Sequence, residues 1–379
     1  MIVLKVAQQQ LLGALQSVAG IVERRHTLPI LANVLLRKSG PTVELTTSDL
    51  EIQVRTRRDF GADDGDFATT VGARKLIDIL RSLPPEQSVS LSAAGSAAKL
   101  TLQAGKSRYT LQTLPALDFP LVNESAAFGP EFEVPQAVLR RLIDQVHFAM
   151  AVQDIRYYLN GILFVAEGRT LTLVATDGHR LALSSATLEG EIPRQEVILP
   201  RKTVLELLRL LRDDGAAADP AVPAAAVEMR FAANQAKFRF SGMEFVTKLV
   251  EGKFPDYQRV IPRNHHNAFT TGRLPLLAAL QRAAILTSEK FKGVRINLQP
   301  GLLQIGASNT EQEEAREELE IDYAGDEIEV GFNVGYLIDA LANVDAELVR
   351  LEFLDANASV LLTVPQQPGF KYVVMPMRI

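Results

Sequence analysis

The stretch FEVPQAVLRRLIDQV at residues 132–146 has an earlier counterpart, LKVAQQQLLGALQSV at 4–18. A shift of 128 residues lays Leu4 on Phe132, Val6 on Val134, Leu11 on Leu139, Leu15 on Ile143 and Val18 on Val146. The same shift carries LTLVATDGHRL (171–181) onto VELTTSDLEIQ (43–53), with Asp177 over Asp49. A third copy follows at slightly different spacing. FTTGRLPLLAALQRAAIL (269–286) repeats the opening, with Leu276 and Leu280 over Leu139 and Ile143. LQIGASNT (303–310) repeats LTLVATDG, with Asn309 over Asp177. The period is far longer than a solenoid repeat, so the chain reads as three copies of one domain. Boundaries at 1–127, 128–262 and 263–379 leave each copy long enough to bury its own core.

Each copy opens with a short alternating strand and a helix with apolar residues at 3–4 spacing. Strands follow, ILANVLLRKS and TVELTTSDLEIQVR in the first copy, GILFVAEGRTLTLVATD and RLALSSATLE in the second. A second helix comes next: RKLIDILRSL (74–83), RKTVLELLRLLR (201–212) and NVGYLIDALANV (333–344). A hairpin-like strand pair closes the unit. The expected class is therefore α+β, two helices per copy on mostly antiparallel sheets. AAFGPE (126–131) and VIPRNHHNAF (260–269) read as linkers, and the Ala-rich 213–226 as a surface loop.

Composition is that of an ordinary globular protein, with 47% hydrophobic and 22% charged residues among 379. The chain has no cysteine, which excludes disulfides and thiolate metal sites. MIVLKV is too short for a leader and no apolar run reaches membrane-span length, so a reducing cytoplasm is expected. The net charge of −5 argues against a nucleic-acid binder unless the charges are segregated. They are. Arg24, Arg25, Arg74, Lys75 and Arg81 lie on or beside the helices of the first copy. Arg140, Arg141, Arg201, Lys202, Arg209 and Arg212 do so in the second, and Arg273, Arg282, Lys290 and Lys292 in the third. Acidic residues crowd into 311–329. On one helix such residues are ordinarily its solvated face, but five helices of six share the sign, and only 333–344 departs. That pattern suits phosphate contact. No zinc finger, basic zipper or RNA-binding aromatic pair is present, so the contact is expected to be independent of sequence.

Few residues look chemical. Asp177 and His179 could pair, yet there is no Gly-x-Ser-x-Gly elbow for a hydrolase. The five histidines form no H-E-x-x-H, and Gly105-Lys106-Ser107 lacks the leading glycine of a phosphate loop and reads as a hairpin turn. No catalytic residue, metal or cofactor is expected. The tail YVVMPMRI places Met375 and Met377 beside Pro376 near the end of the chain. It reads either as a last strand packing on its own core or as an adaptable apolar patch.

Several ordered segments resemble one family, the bacterial DNA polymerase III β subunit or replicative sliding clamp. They are TLPIL (27–31), QDIRYYLNG (153–161), ATDGHRLA (175–182), PRK (200–202), KLVEGKFPDYQRVIP (248–262), EKFKGVR (289–295), GFNVGYLIDAL (331–341) and YVVMPMR (372–378). The resemblance spans the chain. It implies a homodimer closed into a six-domain ring around duplex DNA, helices inside, that confers processivity and has no catalytic site. It also implies one partner-peptide pocket between domains 2 and 3. There the DNA polymerase III catalytic subunit, clamp loader, translesion polymerases and mismatch-repair proteins would dock through Gln/Leu-rich peptides. By matching motif the pocket would use Arg156, Leu159, Thr176, Gly178, His179, Arg180, Leu181, Pro255, Arg259, Val260, Asn333, Tyr336, Val373, Met375, Pro376, Met377 and Arg378. DNA would meet Arg25, Gln153, Tyr157, Tyr158 and Lys202, with Arg74 added from its charge. The joint would set Lys75, Lys106, Arg108 and Tyr109 against Ile285, Leu286, Glu313, Glu314 and Glu317 of the second copy. Arg316 within the acidic run and Asn357 near the pocket depart from the family pattern. The rival readings are a hydrolase built on Asp177 and His179, and a monomeric scaffold that never encircles DNA.

Overall fold

A computed structural model describes every residue except Met1, 24–26, 62–64, 94–98, 126, 212–224, 289–291 and Ile379. Arg24, Arg25, Arg212, Lys290 and most of the 213–226 stretch thus lie outside the described residues.

Among the described residues are six α-helices: α1 (Gln8–Val18), α2 (Ala73–Arg81), α3 (Gln136–Asp144), α4 (Arg201–Leu210), α5 (Arg273–Ala284) and α6 (Val334–Ala342). The apolar positions that defined the repeat are those that the helices bury. Leu11, Leu139 and Leu276 are each almost wholly inaccessible, as are Leu15, Ile143 and Leu280. The first helix of each copy also starts in one way. Its leading backbone N–H has no partner within the helix. Gln8 donates to Gln87 O at 2.9 Å, Gln136 to Ala225 O at 2.8 Å and Arg273 to Glu347 O at 2.8 Å.

The turn shared by the copies is built three times by one device. Asp49 Oδ1 accepts from the N–H groups of Glu51 (2.9 Å) and Ile52 (2.7 Å). Asp177 Oδ1 does the same for His179 (2.9 Å) and Arg180 (3.1 Å). Asn309 Oδ1 accepts from Glu311 (3.0 Å) and Glu313 (2.9 Å). These are Asx turns, in which a short side chain replaces a backbone acceptor. The second residue is left-handed in two of them, Leu50 at φ 76° and Gly178 at φ 91°. Glycine tolerates that conformation, whereas leucine is strained by it.

The strands form three antiparallel sheets, and two of them cross the boundaries between copies. Twelve strands run from Ile2–Ala7 at one edge to Phe132–Pro135 at the other, and Ile52–Asp59 of the first copy pairs there with Met243–Lys248 of the second. Six strands run from Gly161–Thr176 to Asn267–Gly272, joined where Arg180–Pro200 of the second copy pairs with Gln367–Val374 of the third. The remaining four run from Glu314–Glu320 to Ile328–Asn333. Contacts accordingly gather the chain into two compact units. One holds Met1–Gln136 with Arg209–Leu249, the other Ala137–Leu208 with Val250–Ile379. The second copy is shared between them, because its strands are spliced into its neighbours' sheets.

Some local readings change. Ile30–Ala32 is not strand. Pro29–Ala32 forms a 3-10 turn that buries Ile30 and Leu31 in succession, which a half-buried strand cannot do, and the strand begins at Asn33. The strand from Arg180 runs on to Pro200 through Gly190 and Pro193, which mask the alternation. Residues 314–320 of the acidic run form an edge strand. Lys106 lies in a tight turn between Lys99–Ala104 and Ser107–Leu114, with Gly105 at φ 56°.

Truncating a buried repeat position is expected to be costly and truncating an exposed loop residue is not. Leu139→Ala is expected to lower the unfolding free energy by about 2–5 kcal/mol. Ile155→Ala, at a side chain 96% exposed, is expected to stay within about 0.5 kcal/mol of the parent. Denaturant titration of both variants checks the contrast.

Candidate partner pocket and DNA-facing residues

The residues around the tail converge on Arg180. Its side chain is only 9% exposed, so its charge must be met by partners. Nε donates to Asp177 Oδ2 at 3.1 Å, Nη1 to Asp339 Oδ2 at 2.6 Å and Nη2 to Phe148 O at 2.7 Å. The guanidinium carbon lies 4.4 Å from the centroid of the Tyr336 ring and 5.7 Å from that of Phe148, both within cation–π range. Burial opposes this charge, but Tyr372 and Asp339 outweigh it and hold the pKa above the usual arginine value. Burial likewise pushes the Tyr372 hydroxyl up. That hydroxyl donates to Tyr336 O at 2.8 Å.

Around this centre the tail is fixed on two sides. Met375 N–H donates to His179 O at 2.9 Å, and Met377 N–H to Gly331 O at 2.9 Å. Arg180, Leu181 and Ala182 pair in register with Val374, Val373 and Tyr372. Met375 and Met377 stay exposed beyond the last pair, with Pro376 half-buried between them and Arg378 exposed after them. The His179 and Tyr336 rings lie nearly parallel, centroids 6.5 Å apart. Asn333 accepts from Gly335 N–H at 3.0 Å and so caps α6, which carries Tyr336 and Asp339.

Leu159, Leu181 and Val373 are not open walls. With Thr176 beside them they are buried, and they form the floor with Leu163, Ile198 and Phe254. Pro255, Arg259 and Val260 flank the turn whose Tyr257 packs on that floor, and Arg259 pairs with Asp256 at 2.9 Å. Arg156 reaches the site from the preceding loop. It grips Asp154 through Nε (3.0 Å) and Nη2 (2.8 Å) and donates to Asp177 O at 3.2 Å. Hydrogen bonds from Arg156 draw the Asp154 carboxyl down to a pKa of about 2. A Cβ on Gly178 would stand 3.0 Å from Arg156 Nη1, so the glycine lets the guanidinium close over its turn. Asn357, exposed at the Asp355 turn, lies outside this cluster of contacts. Sequence reasoning passed over Phe148, Asp339 and Tyr372. Asp339 sits inside GFNVGYLIDAL, yet periodicity marks it only as a polar helix position.

The proposed DNA contacts fall on loops and helix faces. Gln153 is left-handed at φ 54°. Tyr157 and Tyr158 lie edge to face at 5.9 Å, with Tyr157 exposed and Tyr158 packed on the floor cluster. Lys202 is exposed on α4. Arg74 donates to Val22 O at 2.7 Å. With Arg81, Arg209 and Gln16 it lines an open groove of about 850 Å³ beside α1 and α2.

For the joint, Lys75, Lys106 and Arg108 are exposed and Tyr109 is half-buried. In the other compact unit Ile285 is 76% exposed and Leu286 half-buried. Glu313 accepts from Asn309 Nδ2 at 2.6 Å, and Glu314 is exposed. Glu317 is already engaged by Arg282 of its own chain, whose hydrogen bonds lower its pKa. Arg316 pairs with Glu318 at 2.9 Å and so cancels a charge of its own strand. No group of three or more metal-ligating side chains occurs among the described residues. No helix among them is long and apolar enough to cross a membrane.

Comparison with known proteins places this geometry. The N-terminal, central and C-terminal domains of the DNA polymerase III beta subunit match residues 2–123, 133–256 and 258–378. The chain is 46% identical over 382 residues to the beta sliding clamp of Pseudomonas aeruginosa, covering 99% of each. It is 42% identical over 374 residues to that of Escherichia coli, again covering 99% of each. Among solved structures, the Pseudomonas aeruginosa sliding clamp bound to griselimycin has a TM-score of 0.92 at 44% identity, over 100% of both chains. A Caulobacter crescentus beta sliding clamp has a TM-score of 0.92 at 35% identity, over 100% of this chain and 99% of that one. With the repeat, the sheets and the full-length likeness in agreement, the chain belongs to the bacterial DNA polymerase III β-subunit family, the beta sliding clamps.

Proposed function

We propose that two copies of this chain close into a ring around duplex DNA and confer processivity on the replicative polymerase. The three clamp domains, 1–127, 128–262 and 263–379, would each supply a third of one half-ring. The observation that carries the reading is the full-length kinship with sliding clamps. The physical logic supports it. A threaded ring is retained by topology, so its grip on DNA has only to be weak and indifferent to sequence. Exposed basic and amide side chains meeting phosphates meet that need. Arg74, Gln153, Tyr157, Tyr158 and Lys202, with Arg25, are the proposed contacts.

Open strand edges support the joint. Residues 107–112 pair on one side with Lys99–Ala104, and only Thr113 and Leu114 reach the strand on the other side. Glu314–Glu320 is the outermost strand of its sheet. The first edge carries Lys106, Arg108 and Tyr109, the second Glu314 and Glu317, so the two are complementary in charge. Lys75, Ile285, Leu286 and Glu313 complete the proposed contact. Glu317 already has a cationic in-chain partner in Arg282, and Glu313 a neutral one in Asn309.

The tail pocket is proposed to hold short Gln/Leu-rich peptides of the polymerase, clamp loader, translesion polymerases and mismatch-repair proteins. Exposed Met375 and Met377 over a buried aliphatic floor suit varied apolar side chains. Catalysis by Asp177 and His179 is not proposed. Both Asp177 oxygens are committed to the turn and to Arg180.

The chain, once loaded, is expected to stay on nicked circular DNA through gel filtration and to run off the same DNA after linearisation. Equal loss from both forms would exclude the ring. Deleting residues 375–379 is expected to abolish binding of a Gln/Leu-rich peptide in fluorescence anisotropy while the dimer persists in light scattering. Unchanged peptide affinity would remove the tail from the pocket.

A further inference from the structure

We infer that Asp339 is the positioning residue of the tail pocket, acting through Arg180; this rests on the pocket reading above. Three of the five N–H groups of Arg180 are held within the fold. Nε, Nη1 and Nη2 are taken by Asp177, Asp339 and Phe148 O, and one face of the guanidinium is covered by Tyr336. It acts as a beam between two elements of the proposed pocket. The beam spans two elements that must agree in position. One end holds Asp177, whose other oxygen shapes the turn carrying Gly178 and His179. The opposite end meets Asp339, on the helix that presents Tyr336. Asp339 therefore sets the spacing between the His179 turn and Tyr336. Bidentate and forked contacts of arginine fix geometry in this way, which a lysine ammonium cannot copy.

The repeat gives an internal contrast. The position of Arg180 is occupied in the first copy by Ile52, which is buried and apolar. The strand splice is still made there, through Ile52 and Thr247, and Lys248 N–H donates to Glu51 O at 2.9 Å as Met375 does to His179. Turn and splice thus form without an arginine at this position. The ion pair is an addition at the seam between the second and third copies, where the exposed methionines lie.

The test uses the intact chain and a fluorescein-labelled Gln/Leu-rich peptide. Asp339→Asn keeps shape and removes charge. It is expected to weaken the peptide about tenfold, because the buried guanidinium keeps an amide acceptor but loses the charge-assisted bond. In an Arg180→Lys background the same change is expected to add less than about twofold, because the two residues act as one unit. A purely structural role would lower thermal stability without moving His179, so the His179 ring is followed directly by NMR on histidine-labelled protein. Its resonance is expected to shift in Asp339→Asn. A resonance that stays put, or full peptide affinity in Asp339→Asn, overturns the inference. A shifted resonance in a chain whose parent never binds the peptide would instead overturn the pocket reading and leave the positioning intact.

Discussion

Strand pairing across the copies is the constraint on which the rest depends. A sheet edge exposes unpaired N–H and C=O groups, and a repeat standing alone would carry several such edges. Here the first copy lends Ile52–Asp59 to Met243–Lys248 of the second, and the second lends Arg180–Pro200 to Gln367–Val374 of the third. Both splices begin directly after an Asx turn, at Asp49 and Asp177. The turn sets where the strand starts, and the start sets the register of the splice. The third such turn, at Asn309, leads to Glu314–Glu320, which has no partner on its outer side among the described residues. One local device thus produces two closed seams and one open edge.

The first seam is reinforced by charge. Arg55 lies between Glu44 at 3.8 Å and Glu244 at 3.2 Å, and Lys237 meets both Glu244 and Glu124 at 2.8 Å. Cross-strand pairs of opposite sign are individually modest, but here they repeat over neighbouring strands. The connection to the second copy is strapped to the same sheet. Gln53 Oε1 accepts from Val122 N–H, and the buried Gln235 accepts from Ser125 N–H and donates to Asn123 O. The second seam carries the charged cluster around Arg180, beside neutral bonds from Gln145 to Gln367 and from Ser185 to Gly369 O. The two seams share a backbone plan and differ in side chains, and the difference falls where a partner is proposed to dock.

Much of this was legible in the sequence. Six helices fall where periodicity puts them, because an apolar stripe at 3–4 spacing has one good solution. The common turn was legible too, since Asp and Asn bond their own backbone wherever they sit. What escaped was non-local. Motif matching put Arg180 in the proposed pocket, but nothing nearby in the sequence shows that Asp339, far along the chain, completes it. Leu159, Leu181 and Val373 were assigned to walls because a motif gives membership and not depth. The extension of the strand to Pro200 was hidden by Gly190 and Pro193. The splices were invisible for the same reason, since pairing between copies leaves no period in either one.

The acidic edge strand has a consequence for self-association. Its outward residues Glu314, Glu318 and Glu320 are exposed, and Arg316 between them is matched by Glu318. Laid against a second copy of itself, such a strand would bring carboxylate against carboxylate, and like charges directly opposite are destabilising. An open edge is ordinarily a template for runaway stacking. Its excess of carboxylates disfavours its own kind and suits an edge of opposite sign. The proposed joint through it would then be heterologous, and a heterologous contact either closes after a fixed number of copies or grows without limit. The charge on one strand would therefore select the kind of contact that the proposed joint makes.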